Sequence, residues 1–479
     1  MSTKLTKKPS ACCMVDAICH QVPFNAGRFI LLFLAVLFGA CTTYEPLPLP
    51  GGQDLDTQVP RITVDVQKLP LPVLRSHPFN PGNGIDLTEA AILAVINNPD
   101  LKARRRQAEV ARAQLFNARL LPDPQLSLSG GYPFSGPPPL ANAYGVGLNY
   151  DLMALVLRDT TVAVEQAASH LVDLEILWEE WQVVQQARIF FVQSVMEARK
   201  LALLQQAQTL YSQRYERSFK ALEEGNLTLD VTGTDLTALV DADTRVSQME
   251  QEANKTGHEF NALLGLLPDV RLNLTPMSTP QPMDQATLRD ALASLPQRRP
   301  DLLALQAGYQ SQEAKVHLAV LSQFPSLNLG VNYGRDTGDV TSIGFGITLN
   351  LPVLNGNRGE IAIQRATRSQ LRQAYQARLD QAYSDINLLY TRQDLILRQL
   401  TVLREKLPVL ETMVKKATLA YEAGNIGSLI YVNMANTLLT KRLEAINLEQ
   451  FLWEIRIALD TLLAWPAETS GAAEEGGRP

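Results

Sequence analysis

The stretch "EEGNLTLDV", Glu223–Val231, ends a run that contains neither Gly nor Pro from Gly147 onward. A second stretch, "YEAGNIGSLIYV", Tyr421–Val432, closes another helix-forming run with the same Gly-Asn-apolar turn. Gly adopts the left-handed backbone that stops a helix at little cost. The first run therefore predicts a helix of roughly 70 residues, about 105 Å at 1.5 Å per residue, followed by a reversal. The second predicts a long helix from after Gly359 to Ala423, kinked at Pro408, and another reversal. No ordinary globular domain contains helices of this length.

The two turns belong to a longer pattern. "NPDL" (Asn98–Leu101) is followed later by "RPDL" (Arg299–Leu302), and "PQLSLSGGY" from Pro124 by "PSLNLGVNY" from Pro325. "YDL" ending at Leu152 matches "LNL" ending at Leu351, and "ALLG" ending at Gly265 matches "LLA" ending at Ala464. With Gly225 and Gly424, these landmarks recur in one order at about 200 residues, the mark of a tandem duplication. The halves span residues 86–268 and 284–465, joined by a Pro- and Thr-rich linker at 269–283. Each half reads as a helix interrupted near its Pro-Asp pair, two strands, a very long helix, the turn and a return helix. Asp86 or Thr88 is the candidate cap of the first helix. Residues 41–85 read as an extended segment, and 466–479 as a disordered tail.

The strands alternate. Ile343, Phe345, Ile347, Leu349 and Leu351 face away from Ser342, Gly344, Gly346, Thr348 and Asn350. Leu327, Leu329, Val331 and Tyr333 alternate with Ser326, Asn328, Gly330 and Asn332 in the same manner. The first half offers Tyr144, Val146, Leu148, Tyr150 and Leu152, with a partner strand around Leu126 and Leu128. Strands of about nine to eleven residues, apolar on one face and small-polar on the other, suit an outer-membrane barrel with a wet lumen. A half-buried sheet in a soluble domain shows the same alternation. The strand count favours the barrel in an oligomer. Four strands leave open edges, which lipid forbids, and closed barrels begin at about eight strands.

In the second long helix, Ala382, Ile386, Leu389, Gln393, Ile396, Leu400, Leu403, Leu407 and Leu410 keep the spacing of a coiled-coil seam. Leu395, Leu397 and Val402 fall off that seam and indicate a second apolar contact face. A helix packed on two neighbours suits a closed tube of helices.

The chain has a net charge of −6, which argues against a nucleic-acid partner. Lys4, Lys7, Lys8 and Arg28 precede the apolar run "FILLFLAVLF" (Phe29–Phe38), too short to span a bilayer but suited to a signal peptide. Gly39 and Ala40 lead directly into Cys41, as in a bacterial lipoprotein signal, so residues 1–40 are expected to be removed and Cys41 to carry lipid. Met14 is an alternative start. Cleavage at Cys41 would also remove Cys12, Cys13 and Cys19, so no internal disulfide could form after export.

Enzyme signatures are missing. His20, His77, His170, His258 and His317 stand apart without metal-ligand spacing, and no phosphate loop, CxxC or nucleophile elbow occurs. Neither a metal centre nor a cofactor is expected, and the free energy of any transport must come from a partner.

At this point "RPDL", "FPSLNLGVNYG", "GFGITLNLPVLNGNRGEIA" and the Gly turn after "YEA" closely resemble TolC-family outer-membrane efflux channels. The resemblance covers nearly all of residues 86–465. It implies a mainly α chain with membrane strands, four β-strands and long coiled-coil helices per protomer. Three copies would form a twelve-stranded β-barrel on an α-helical barrel. It further implies a periplasmic adaptor and an inner-membrane pump as partners, the outer membrane as location, and a passive duct for drugs or metal ions as function. The helix turns, at Gly225, Asn226 and Leu227 and at Gly424, Asn425 and Ile426, would be the periplasmic tips where an adaptor docks. Ile343, Phe345, Ile347, Leu349, Val146 and Leu148 would face lipid. Family members often gate their closed end with carboxylates six and nine residues after the second-half Gly. Here those positions are Ile430 and Asn433, so Asp230 and Asp235 in the first half are the candidates for an acidic ring. Solvent-facing or helix-capping roles for these two residues are equally open.

Two other readings remain at this level: a type I protein-secretion duct, and a periplasmic coiled-coil adaptor or rod that never spans the outer membrane. An adaptor normally has a single hairpin flanked by β-domains, whereas this chain has two hairpins and duplicated amphipathic strands.

Overall fold

The computed structural model describes residues 44–59, 72–75, 77–137 and 139–464. Cys41, the apolar leader and the segment 466–479 lie outside them. Residues 44–54 belong to a unit of their own and carry neither helix nor strand. The remainder belongs to the unit that begins at Leu55.

After a single helical turn at Pro72–Arg75, the first half comprises α1 (Leu87–Asn97), α2 (Pro99–Arg119), β1 (Gln125–Gly131), β2 (Ala143–Asp151), α3 (Leu152–Glu223) and α4 (Leu229–Leu263). The same six elements then recur in the same order. They are α5 (Gln285–Arg298), α6 (Pro300–Leu321), β3 (Ser326–Arg335), β4 (Thr341–Asn350), α7 (Arg358–Glu422) and α8 (Ser428–Leu462).

The helix boundaries follow from local chemistry. Asp86 caps α1: its Oδ1 accepts the N–H of Thr88 and of Glu89, each at 2.8 Å, and Glu89 Oε2 accepts the Asp86 N–H at 3.0 Å. This reciprocal box satisfies donors that a helix start leaves orphaned. Asp284 caps α5 through the N–H groups of Ala286 and Thr287. Pro99 and Pro300 open α2 and α6 at the first helical position, where a missing N–H costs nothing. That is the physical basis of the break after each short helix.

α3 is 72 residues long and α7 is 65. Asp151 closes the strand and starts α3 by accepting the N–H groups of Met153 and Ala154. α7 continues as one helix through Pro408. Among the described residues, no helix is long and apolar enough to cross a membrane.

The four strands form one antiparallel sheet in the order β1-β2-β3-β4. The register aligns like with like. Leu128, Val146, Tyr333 and Ile343 form one row across all four strands, and Leu126, Leu148, Val331 and Phe345 the next. Tyr150, Leu329 and Ile347 continue this face, followed by Leu327 and Leu349. The opposite face carries Ser127, Gly147, Asn332 and Gly344, then Gln125, Asn149, Gly330 and Gly346.

The core lies along the helices. α5 packs with Leu288, Ala291 and Leu295 against Ala382, Ile386, Leu452, Ile455 and Leu459 of α7 and α8. α1 does the same in the first half, setting Ala90, Leu93 and Ala94 against Ala187, Phe191, Phe260 and Leu263. The halves also hold each other. Arg299, fully buried, bonds both oxygens of Asp301 at 2.7 and 3.0 Å and lies 5.0 Å from the ring centre of Trp178 on α3. Ser311 donates to the Val164 carbonyl of α3. The Arg of "RPDL" is therefore a joint between the two repeats.

Candidate functional site

The site is built where the two long hairpins turn. Gly225 and Gly424 both adopt φ of +73°. At the first turn the N–H of Gly225 bonds the Leu222 carbonyl at 2.9 Å, and that of Asn226 bonds Ala221 at 2.8 Å. At the second, Gly424 bonds Tyr421 and Asn425 bonds Ala420, each at 2.8 Å. Both are Schellman endings, in which the left-handed residue returns two donors to orphaned helix carbonyls. A Cβ at either glycine would meet nothing within 4 Å, so the requirement for Gly is conformational and not steric. The repeat landmark at the end of α4 and α8 obeys the same geometry, with Gly265 at φ +66° and Ala464 at φ +47°.

The turns present Asn226 and Asn425 to solvent, while Leu227 and Ile426 are half-buried beneath them. Ile426 packs on a cluster that draws on all four hairpin helices: Tyr211 of α3, Ala238 and Ala242 of α4, Ala417 of α7, and Tyr431, Val432 and Ala435 of α8. At its centre the Arg214 guanidinium lies 4.4 Å from the Tyr421 ring centre and 4.3 Å from that of Tyr431. The two rings are themselves stacked at 5.5 Å. Arg214 donates to Asp235 Oδ1 at 2.8 Å and to the Ser428 hydroxyl at 3.1 Å, and Ser428 donates to the same Asp235 oxygen at 2.9 Å. Tyr211 donates to Asn436 at 2.9 Å, and burial pushes its phenol up to about 12. One cation thus ties both hairpins of the protomer together near their ends.

This placement corrects one expectation. Asp235 is 2 % exposed and committed to Arg214 and Ser428, so it lines no opening in this conformation. Asp230 is exposed in the first turn of α4, and its hydrogen bond with Thr228 holds its carboxyl below the usual carboxylate range. Ile430 and Asn433 are exposed as well. Of the two acidic candidates, Asp230 alone offers a free anionic face. Sequence reasoning missed Arg214, Tyr421 and Ser428, because nothing local marks them as partners.

At the sheet, Val146, Leu148, Ile343, Phe345, Ile347 and Leu349 share one face, and all are exposed, Phe345 to 81 %. Along α7 the expected seam is buried at Ala382, Ile386, Gln393, Ile396 and Leu400. The second face differs in membership. Leu397 joins the core with the seam, whereas Leu388, Leu395, Val402 and Val409 form an exposed apolar stripe at seven-residue intervals.

His77, Asp86 and Glu89 place potential metal-ligand atoms within 4.8 Å of one another. These atoms already serve the α1 cap. His77 Nε2 bonds Asp86 at 2.8 Å, and Glu89 takes the N–H groups of Asn80 and Asp86.

The sheet is thus apolar on an exposed face, and the two long helical hairpins are clamped together near their tips. The family model for outer membrane efflux proteins matches residues 291–464, the second repeat almost end to end. The outer membrane protein OprJ of Pseudomonas aeruginosa is 26% identical over 386 residues, covering 73% of this chain and 77% of its own. In structure the chain is similar to the outer-membrane channel OprN, with a TM-score of 0.68 at 14% identity, covering 88% of this chain and 99% of that one. The Campylobacter jejuni CmeC outer membrane channel gives 0.67 at 15% identity, with coverage of 88% and 94%. The second repeat is thus similar to the outer membrane efflux proteins, and the chain shares its fold with solved outer-membrane channels.

Proposed function

We propose that the protein is the outer-membrane duct of a tripartite efflux system, working as a homotrimer with a periplasmic adaptor and an inner-membrane pump. The observation that carries this reading is the sheet. One face is apolar along four successive rows and largely exposed, and β1 and β4 are edges without a further partner among the described residues. In lipid such edges must pair, and three copies joined β4 to β1 would leave none. The stripe Leu388, Leu395, Val402 and Val409 supports the same assembly, since its heptad spacing suits packing against the helix of another copy. The opposite sheet face, rich in Ser, Asn and Gly, would line the lumen. Fractionation and crosslinking test this together: the protein is expected in the outer membrane as a trimer, and a soluble monomer would overturn the reading. A deletion strain challenged with drugs and metal salts then separates solute efflux from protein secretion. Lipidation of Cys41 would anchor the duct, and labelling with a palmitate analogue reads it directly.

The Schellman turns make a further prediction. Gly424→Val forces a β-branched residue to φ +73°, a strain of about 1–3 kcal/mol confined to the turn. Trimer yield should stay near normal while efflux falls, because the tip is where an adaptor would dock. Unaltered efflux by a Gly424→Val trimer would count against docking there.

A further inference from the structure

Away from the tips, α3, α4 and the linker segment 270–279 enclose a groove of about 1040 Å³. Leu272, Leu274 and Met277, half-buried and packed on the core at Phe260, supply apolar wall. Two of its polar residues are unusual. Glu197 is 5 % exposed and Asn261 is 3 % exposed, yet Glu197 Oε2 and Asn261 Oδ1 are buried acceptors that receive no hydrogen bond from the chain. Their other atoms are engaged: Thr256 donates to Glu197 Oε1 at 2.9 Å, and Asn261 Nδ2 donates to the carbonyls of Pro268 and Val270. Leaving a buried acceptor unpaired costs about 1–3 kcal/mol, more for a charged group. Two such acceptors on one groove wall call for a donor.

We infer that this groove binds an amphipathic organic amine, whose ammonium donates to Glu197 Oε2, whose second N–H or O–H serves Asn261 Oδ1, and whose apolar body lies on Leu272, Leu274 and Met277. The charges around the site favour a cation over an anion. Arg199 is already paired with Glu449 at 2.9 Å, and Lys200 donates to Gln450 at 2.9 Å. Glu252 adds a further negative charge close enough to act on both Glu197 and Lys200. Arg271 at the rim is exposed and screened by water. Burial and Glu252 raise the Glu197 carboxyl above its ordinary range, against the pull of Thr256 and Lys200. Protons therefore compete with the amine, and binding weakens as the pH falls. The groove is formed within a single protomer, so amine binding there does not require the duct to assemble.

The test uses the full chain held in amphipol and dansylcadaverine, a primary amine with an apolar fluorescent ring and a second N–H donor, followed by fluorescence polarisation. Saturable binding is expected near neutral pH. Glu197→Gln should weaken it by about tenfold or more, the usual worth of a charge-assisted hydrogen bond. Dansylamide, which lacks the ammonium, should be weaker by a similar factor. Acidification should loosen the wild-type complex and leave the Glu197→Gln complex unchanged. Ala253→Trp, on the half-buried rim, should block the groove without touching the acceptors. Equal affinity for amine and amide, or a folded Glu197→Gln protein that binds like wild type, would overturn the inference. Should Glu197→Gln fail to fold, unchanged affinity in Ala253→Trp would overturn it alone.

Discussion

Arg214→Ala should release the hairpin tips while leaving the sheet intact. The Arg214 side chain is 10% exposed and that of Asp235 is 1% exposed, so the alanine variant strands a buried carboxylate with only the Ser428 hydroxyl beside it. Removing one partner of a buried pair costs about 3–5 kcal/mol, mostly through the charge left behind. The same change deletes the cation that lies against Tyr421 and Tyr431, contacts worth roughly a further 0.5–2 kcal/mol each when desolvated. Because contacts along a long hairpin are local, this loss should appear as local opening and not as global unfolding. Hydrogen exchange reads it. Amides around 214–240 and 417–436 should lose most of their protection, and those of the strands should keep theirs. Pairing Arg214→Met with Asp235→Leu should restore protection, since both charges are then gone and the volume is kept. Wild-type exchange at the tips of Arg214→Ala would refute the clamp.

The tips illustrate how far local signals reach. Gly225 and Gly424 could be read as helix stops because a left-handed ending is a property of a few consecutive residues. The strands were equally legible, since alternation is a period of two within one segment. The Arg214 cluster was not, because it gathers residues 214, 235, 421, 428 and 431, and their meeting depends on how one hairpin lies beside the other. In sequence Asp235 is an acidic residue near a turn; Arg214 across its own hairpin and Ser428 of the other hold it buried. Leu397 falls off the seam in sequence along with Leu395 and Val402, whereas the packing of α7 against α5 and α8 turns it inward. Ala464 shows the opposite case. Its positive φ has no local cue in an Ala, yet its alignment with Gly265 across the repeat marks the same ending.

Ile347→Arg should abolish trimer accumulation in the outer membrane. Ile347 is 68 % exposed and sits in one row with Leu329 and Tyr150, on the face that meets lipid in the proposed barrel. An arginine on the lipid face costs about 2–4 kcal/mol near the bilayer midplane, and threefold symmetry repeats that cost to roughly 6–12 kcal/mol per trimer. Such a sum is comparable to the whole stability of many domains, about 5–15 kcal/mol. Thr348→Arg is the control. One residue further along β4, it projects from the other face beside Asn328, where water would fill the lumen. Its trimer yield should approach wild type, with altered conductance. The pair separates a barrel from a half-buried soluble sheet, because a soluble sheet would have its apolar face covered by protein and would give a misfolded monomer at Ile347→Arg regardless of membrane. Heat-resistant trimer bands from outer-membrane fractions decide between them: equal yields from Ile347→Arg and Thr348→Arg would mean that lipid does not contact this face.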